Sequence, residues 1–151
     1  MDSGGGERSG MATVTIAEVD LSGWRGEEHE RRALADRVRS ICHDIGFFQL
    51  VGHGVDPAFV DRHIEFQRRF FALPEDVKAG IDKARSPHFR GWERVGAELT
   101  GGRVDFREQL DLSSEHPVRG LDLHPAYLRL DGPNQWLDER ALPGFRAHMA
   151  E

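Results

Sequence analysis

The chain has 151 residues, 38% of them hydrophobic, a formal net charge of -6 and one cysteine. That length suffices for a domain with a core. The acidic balance argues against a nucleic-acid binder, and one cysteine excludes an intrachain disulfide framework, which makes a reducing cytoplasm the expected compartment. No apolar run approaches the ~20 residues of a membrane helix, and no signal-peptide pattern precedes Met11, an alternative start.

Met1 to Gly10 is glycine- and charge-rich with nothing to bury, which predicts a disordered tail over residues 1–11. Thr13 to Ile16 has the β-branched composition of a short strand. From about Glu27 to Ile45 the pattern is helical: Leu34, Val38, Ile41, Cys42 and Ile45 form one stripe, and Cys42 is expected as an inert buried thiol. Gly46 stops that helix, because glycine takes the left-handed conformation without a Cβ clash. Phe47-Phe48-Gln49-Leu50-Val51 reads as a strand covered on both faces, and Gly52-His53-Gly54 turns the chain into a helix opened by Asp56 and Pro57.

That second helix, about Pro57 to Ala72, carries Phe59, Val60, Ile64, Phe66, Phe70 and Phe71 on one broad face. A third, short helix begins at Pro74, with Glu75 and Asp76 where the helix dipole favours acids. Ser86 to Gly96 reads as extended with a turn, Gly101-Gly102 as a turn, and Arg107 to Leu112 as a strand. Ser113 to Ala126 reads as a long surface connection, Asp131 to Asn134 as a turn, and a helix begins after Pro143-Gly144. The expected organisation is a tail over 1–11, a domain over 12–112, and over 113–151 a connection with the start of a helix leading into a further part.

The string Asp44 to Val55, DIGFFQLVGHGV, resembles the signature of the N-terminal region of isopenicillin N synthase-like, iron(II)- and 2-oxoglutarate-dependent dioxygenases. Three more segments agree in order: Thr13 to Ile16 with Val19-Asp20-Leu21, Phe70 to Pro74, and Phe89-Arg90-Gly91-Trp92. The resemblance implies an α+β fold whose helices pack beside strands extending a jelly-roll (double-stranded β-helix) barrel, most of it absent here. It also implies that Fe(II) and 2-oxoglutarate serve the intact protein, that the missing C-terminal catalytic barrel is the partner of this region, and that members are about twice as long. It places Arg90 and Trp92 at the mouth of the active site as substrate-binding candidates. Arg90 could meet a substrate carboxylate through its two-pronged donor set. Trp92 stands where a tyrosine is common, so a hydroxyl contact to substrate is missing. The alternative is that Arg90 pairs with a nearby acid and Trp92 simply packs.

Non-haem iron of this class takes two histidines and a carboxylate. His63-Ile64-Glu65 is the one string of that form, and it falls on a helix, where residues two apart point about 200° apart. His63 is therefore expected as a core histidine with a hydrogen-bond partner, and His53 as a ring bonded to backbone at its turn. His116, His124 and His148 carry no convergent acid pattern. No catalytic, cofactor-binding or metal-binding residue is expected, and neither iron nor 2-oxoglutarate is expected to bind this chain alone. The expected function is that of the N-terminal part of an oxygenase oxidising a small organic substrate, inactive alone. The chemistry is either 2-oxoglutarate-dependent or of the oxidase type that uses none. The alternatives are a stand-alone non-catalytic binding module and a truncated gene product.

Overall fold

The computed structural model describes residues 15–118, 120 and 122–151. The expected tail over 1–11, and Thr13 and Val14 of the first expected strand, lie outside them. The chain divides into two compact units, one ending at Asp56 and the other comprising Pro57–Glu151.

In the first unit, β1 (Glu18–Asp20) pairs in parallel with β2 (Gln49–Val51), Val19 facing Leu50 in register. Thr15 and Ile16 precede the strand, so strand structure begins later than β-branched composition predicts: it forms only where β2 supplies a ladder partner. Parallel strands need a crossover, here a 3-10 turn at Ser22–Arg25 and helix α1 (Glu28–Asp44). The Glu27 N–H donates to the Glu30 carboxylate at 2.8 Å, satisfying a donor at the helix start. At the other end the Ile45 and Gly46 N–H groups both reach back to the Ile41 carbonyl, and Gly46 has φ +94°, the left-handed stop expected of it. Arg37 ties α1 to β1 through the Glu18 carbonyl at 2.8 Å.

Two expectations for this unit fail. The strand is confined to Gln49–Val51 and is not covered on both faces, since Phe47 is 56% exposed and Leu50 39%. Two strands and one helix provide too few layers to bury both sides. Cys42 is exposed rather than buried. The half-covered part of the α1 stripe is Leu34, Val38 and Ile41, and Cys42 lies beyond it.

The second unit opens with α2 (Pro57–Phe71) and α3 (Glu75–Lys78), followed by 3-10 turns at Ala79–Ile81 and Lys83–Arg85. Strand β3 (Gly91–Glu93) pairs antiparallel with β6 (Gln109–Asp111), and between them β4 (Leu99–Thr100) and β5 (Arg103–Val104) form a hairpin around Gly101-Gly102. The described residues between Ser113 and Pro125 contain no helix or strand; a 3-10 turn at Ala126–Leu130 follows, then the short α4 (Phe145–Met149). Phe70, Ile81, Trp92, Leu142 and Phe145 form the core, with Phe66, Leu73 and Leu110 packed against it. Of the broad apolar face expected on α2, Phe70 alone is buried, while Val60, Ile64 and Phe71 remain exposed.

Candidate functional site

Side chains alternate across a strand, and the β3–β6 pair sorts its residues by that rule. Trp92 and Leu110, opposite one another, turn into the core. Glu93 opposite Gln109, and Asp111 opposite Gly91, share the other face. Gly91 has φ +123°, and a Cβ there would run into the Ile81 carbonyl and the Gln135 amide. Its bare backbone lets the 3-10 turn carrying Lys83 come close, with Lys83 Cα at 3.2 Å from that Cβ position.

Lys83 Nζ accordingly reaches both carboxylates, Glu93 Oε2 at 2.5 Å and Asp111 Oδ2 at 3.1 Å, and Gln109 donates to Glu93 Oε2. The Lys83 and Glu93 side chains are 12% and 18% exposed. Burial works against the Lys83 ammonium, but the hydrogen bonds to Glu93 and Asp111 outweigh it and hold its pKa above the ordinary lysine value. The hydrogen bond from Lys83 in turn holds the Glu93 carboxyl below its usual range, against the effect of burial. Above the ammonium lies Phe89, its ring centroid 4.1 Å from Nζ. Phe89 has φ +58°, a conformation costing a non-glycine residue on the order of 1–3 kcal/mol, yet its side chain is 56% exposed. A cleft of about 430 Å3 opens here, lined by Asp82, Lys83, Phe89, Glu93 and Arg94.

The two residues singled out in the sequence flank this cleft without lining it. Among the described residues Arg90 pairs with no acid. Its Nη1 donates to the carbonyls of His88 (2.8 Å) and Phe89 (3.2 Å), its Nη2 to that of Leu130 (3.0 Å), and its buried Nε has no partner. Trp92 is buried, and its indole N–H donates to Glu108 at 2.7 Å. Glu108 also accepts from the buried Lys78, which donates in turn to the Phe71 carbonyl. Sequence reading missed Lys83, Glu93, Gln109 and Asp111. The usable signal was the alternation in Gln109-Leu110-Asp111, where two polar residues flank an apolar one.

The histidines are distributed much as helix geometry demands. His63 is half-buried on α2 and accepts from Gln67 at 3.1 Å, and His53 Nδ1 accepts from the Val55 N–H at its turn. Glu65 is exposed. His148 is buried on α4, its ring packed among Phe59, His63 and Phe66, with neither nitrogen partnered among the described residues. Among the described residues no three His, Cys, Asp or Glu side chains come together as a metal site. The donors present among these residues do not fit an iron centre.

Comparison with known proteins decides the family. The model described as the non-haem dioxygenase in morphine synthesis N-terminal region matches residues 16–139. The chain belongs to this non-haem dioxygenase N-terminal family. It is 38% identical over 136 residues to a 2-oxoglutarate-dependent dioxygenase, frbJ, of a Dothideomycetidae species, covering 90% of this chain and 36% of that protein. It is 35% identical over 132 residues to the 2-oxoglutarate-Fe(II) type oxidoreductase hxnY of Emericella nidulans, covering 83% of this chain and 37% of that one. A full-length Neurospora crassa protein solved in complex with alpha-KG superimposes with a TM-score of 0.67 at 22% identity, over 89% of this chain and 40% of that one. The resemblance read in the sequence thus holds at the level of family, and the fold is shared with part of that Neurospora protein. The dioxygenase N-terminal region described here spans little more than a third of these relatives, less than the half expected. No helix among the described residues is long and apolar enough to cross a membrane.

Proposed function

We infer that this chain forms the N-terminal part of an iron(II)- and 2-oxoglutarate-dependent oxygenase acting on a small organic molecule. The iron and 2-oxoglutarate would be held by the portion of such proteins that this chain does not match. The observation that carries this reading is the family match over residues 16–139, alongside relatives of which the chain covers just over a third. Two features support it. The described residues assemble no donor set for iron. Each unit also leaves large apolar side chains uncovered, Phe47 and Leu50 in the first and Val60, Ile64 and Phe71 in the second, as a region does when a neighbouring domain packs over it.

In this reading the segment from Pro87 to Glu93 belongs to the substrate side of the protein. Arg90 and Trp92 serve it by holding its backbone. The guanidinium clamps three carbonyls and the indole anchors the strand, so that Phe89 and Glu93 are presented to the cleft.

The test is a chimera in which this chain replaces the matching segment of the frbJ dioxygenase. The expected result is iron(II)-dependent conversion of 2-oxoglutarate to succinate by the chimera and none by the chain alone. Turnover by the isolated chain would overturn the reading. A soluble chimera that binds iron and 2-oxoglutarate but produces no succinate, coupled or uncoupled, would do so as well.

A further inference from the structure

The cleft beside β3 and β6 has a charge pattern that its own contacts leave unbalanced. Two carboxylates, Glu93 and Asp111, share one ammonium, that of Lys83, and a third, Asp82, lines the same cleft. The Asp82 carboxylate caps the Ala84 N–H. Glu93 and Asp111 meet Lys83 and Gln109 through Oε2 and Oδ2, leaving Oε1 and Oδ1 outside the network. The interior of the cleft therefore favours an added positive charge. At the rim Arg94 is exposed, and its guanidinium has no hydrogen bond or ion pair among the described residues. Phe89 also lines the cleft, held in the left-handed region and largely exposed. Core packing does not explain a strained aromatic that stays in solvent, and such strain gathers at binding sites.

We propose that this cleft binds a small zwitterion of the basic amino-acid class. Its ammonium or guanidinium end lies at Glu93 and Asp111, its aliphatic part lies against Phe89, and its carboxylate sits on Arg94. The components match by chemistry: carboxylate oxygens take charge-assisted N–H donors, an aromatic ring takes a cation or its methylene stem, and an arginine fork takes a carboxylate. A dianion fails, because only Arg94 would receive it while three carboxylates repel it. A simple amine forgoes the rim contact.

That the bound molecule is also a substrate rests on the oxygenase reading above; binding itself does not, so the test uses this chain directly. L-Arginine and L-lysine are titrated into the chain by calorimetry or two-dimensional NMR, with n-butylamine and glutarate as single-ended and doubly anionic controls. Binding of L-arginine or L-lysine at one site is expected, weakened at least fivefold in Glu93→Gln and in Arg94→Ala, with weaker binding of butylamine and none of glutarate. Phe89→Gly separates a ligand role from a structural one: relief of the positive φ should leave the melting temperature unchanged or raise it while binding falls. The proposal is overturned if neither amino acid binds, if glutarate binds as well as they do, or if their binding is unchanged in all three variants. Any of these would leave the chimera experiment standing as the separate test of the oxygenase reading.

Discussion

The ring of His148 lies 4.5 Å from that of Phe59, centroid to centroid, in a pocket where neither of its nitrogens has a partner. His63 lies tilted at 5.5 Å and Phe66 stacks at 5.1 Å, so an imidazole on α4 is sealed against an aromatic face of α2. Burial pushes the pKa of His148 below the ordinary histidine value; the nearby His63 and Arg62 act in the same direction, and Glu151 opposes them. A histidine held neutral by folding binds fewer protons in the native than in the unfolded state. It therefore contributes stability above about pH 6.5 that is lost as pH falls towards its depressed native value. Melting temperatures at pH 8 and pH 5.5 should fall further apart in the wild type than in His148→Leu. Identical differences in the two proteins would show that His148 is not the group responsible.

How much of this was legible in the sequence depends on whether a feature is local. The Gly46 stop, the Gly101-Gly102 turn and the start of α3 after Pro74 are decided by residues within a few positions, and all were readable. The burial of Cys42 and of the 47–51 strand was misjudged because an apolar stripe states only that a residue could be covered, not that a layer is present to cover it. The candidate cleft was half legible. The segment Phe89-Arg90-Gly91-Trp92 stood out by resemblance, but Lys83 joins Glu93 and Asp111 only through the β3–β6 register and the bare backbone of Gly91, neither of which a linear reading supplies.

Gly46 gives a direct measure of the helix stop. Its φ of +94° lies in a region that L side chains rarely adopt, and open space surrounds the position where a Cβ would go. The penalty on Gly46→Val is thus conformational rather than steric crowding by neighbours, on the order of 1–3 kcal/mol. Thermal melts of the two proteins check it. An unchanged melting point would remove the left-handed stop as the reason for glycine there.

Glu108 is the common acceptor for Lys78 and the Trp92 indole, and the Lys78 side chain is 4% exposed. In Glu108→Ala the ammonium keeps the Phe71 carbonyl and the face of the Trp92 ring but no carboxylate, in a site nearly closed to water. Breaking such a pair from one side costs about 3 kcal/mol or more. Glu108→Gln retains a carbonyl oxygen for the two donors but not the charge, and should lose less, about 1–2 kcal/mol. Urea denaturation of the three proteins gives the ranking. Equal losses for Ala and Gln would assign the whole effect to charge and none to the shared acceptor.

Iron provides the strictest check on how the chemistry is divided. His63 and Glu65 sit two apart on α2, where one is half-buried and the other exposed, and His53 is engaged with the backbone of its own turn. The ring of His148 lies beside that of His63, but no carboxylate or third donor completes a set with them among the described residues. Two histidines without a carboxylate leave the metal short of the facial triad that non-haem iron(II) requires. Anaerobic calorimetric titration of the chain with iron(II) should therefore show no stoichiometric tight binding. Stoichiometric binding abolished by His63→Ala or His53→Ala would place iron ligands inside this region and overturn that division. The two substitutions also separate the possible sites: loss in His63→Ala alone would locate the metal on the α2–α4 face, and loss in His53→Ala alone at the Gly52-His53-Gly54 turn.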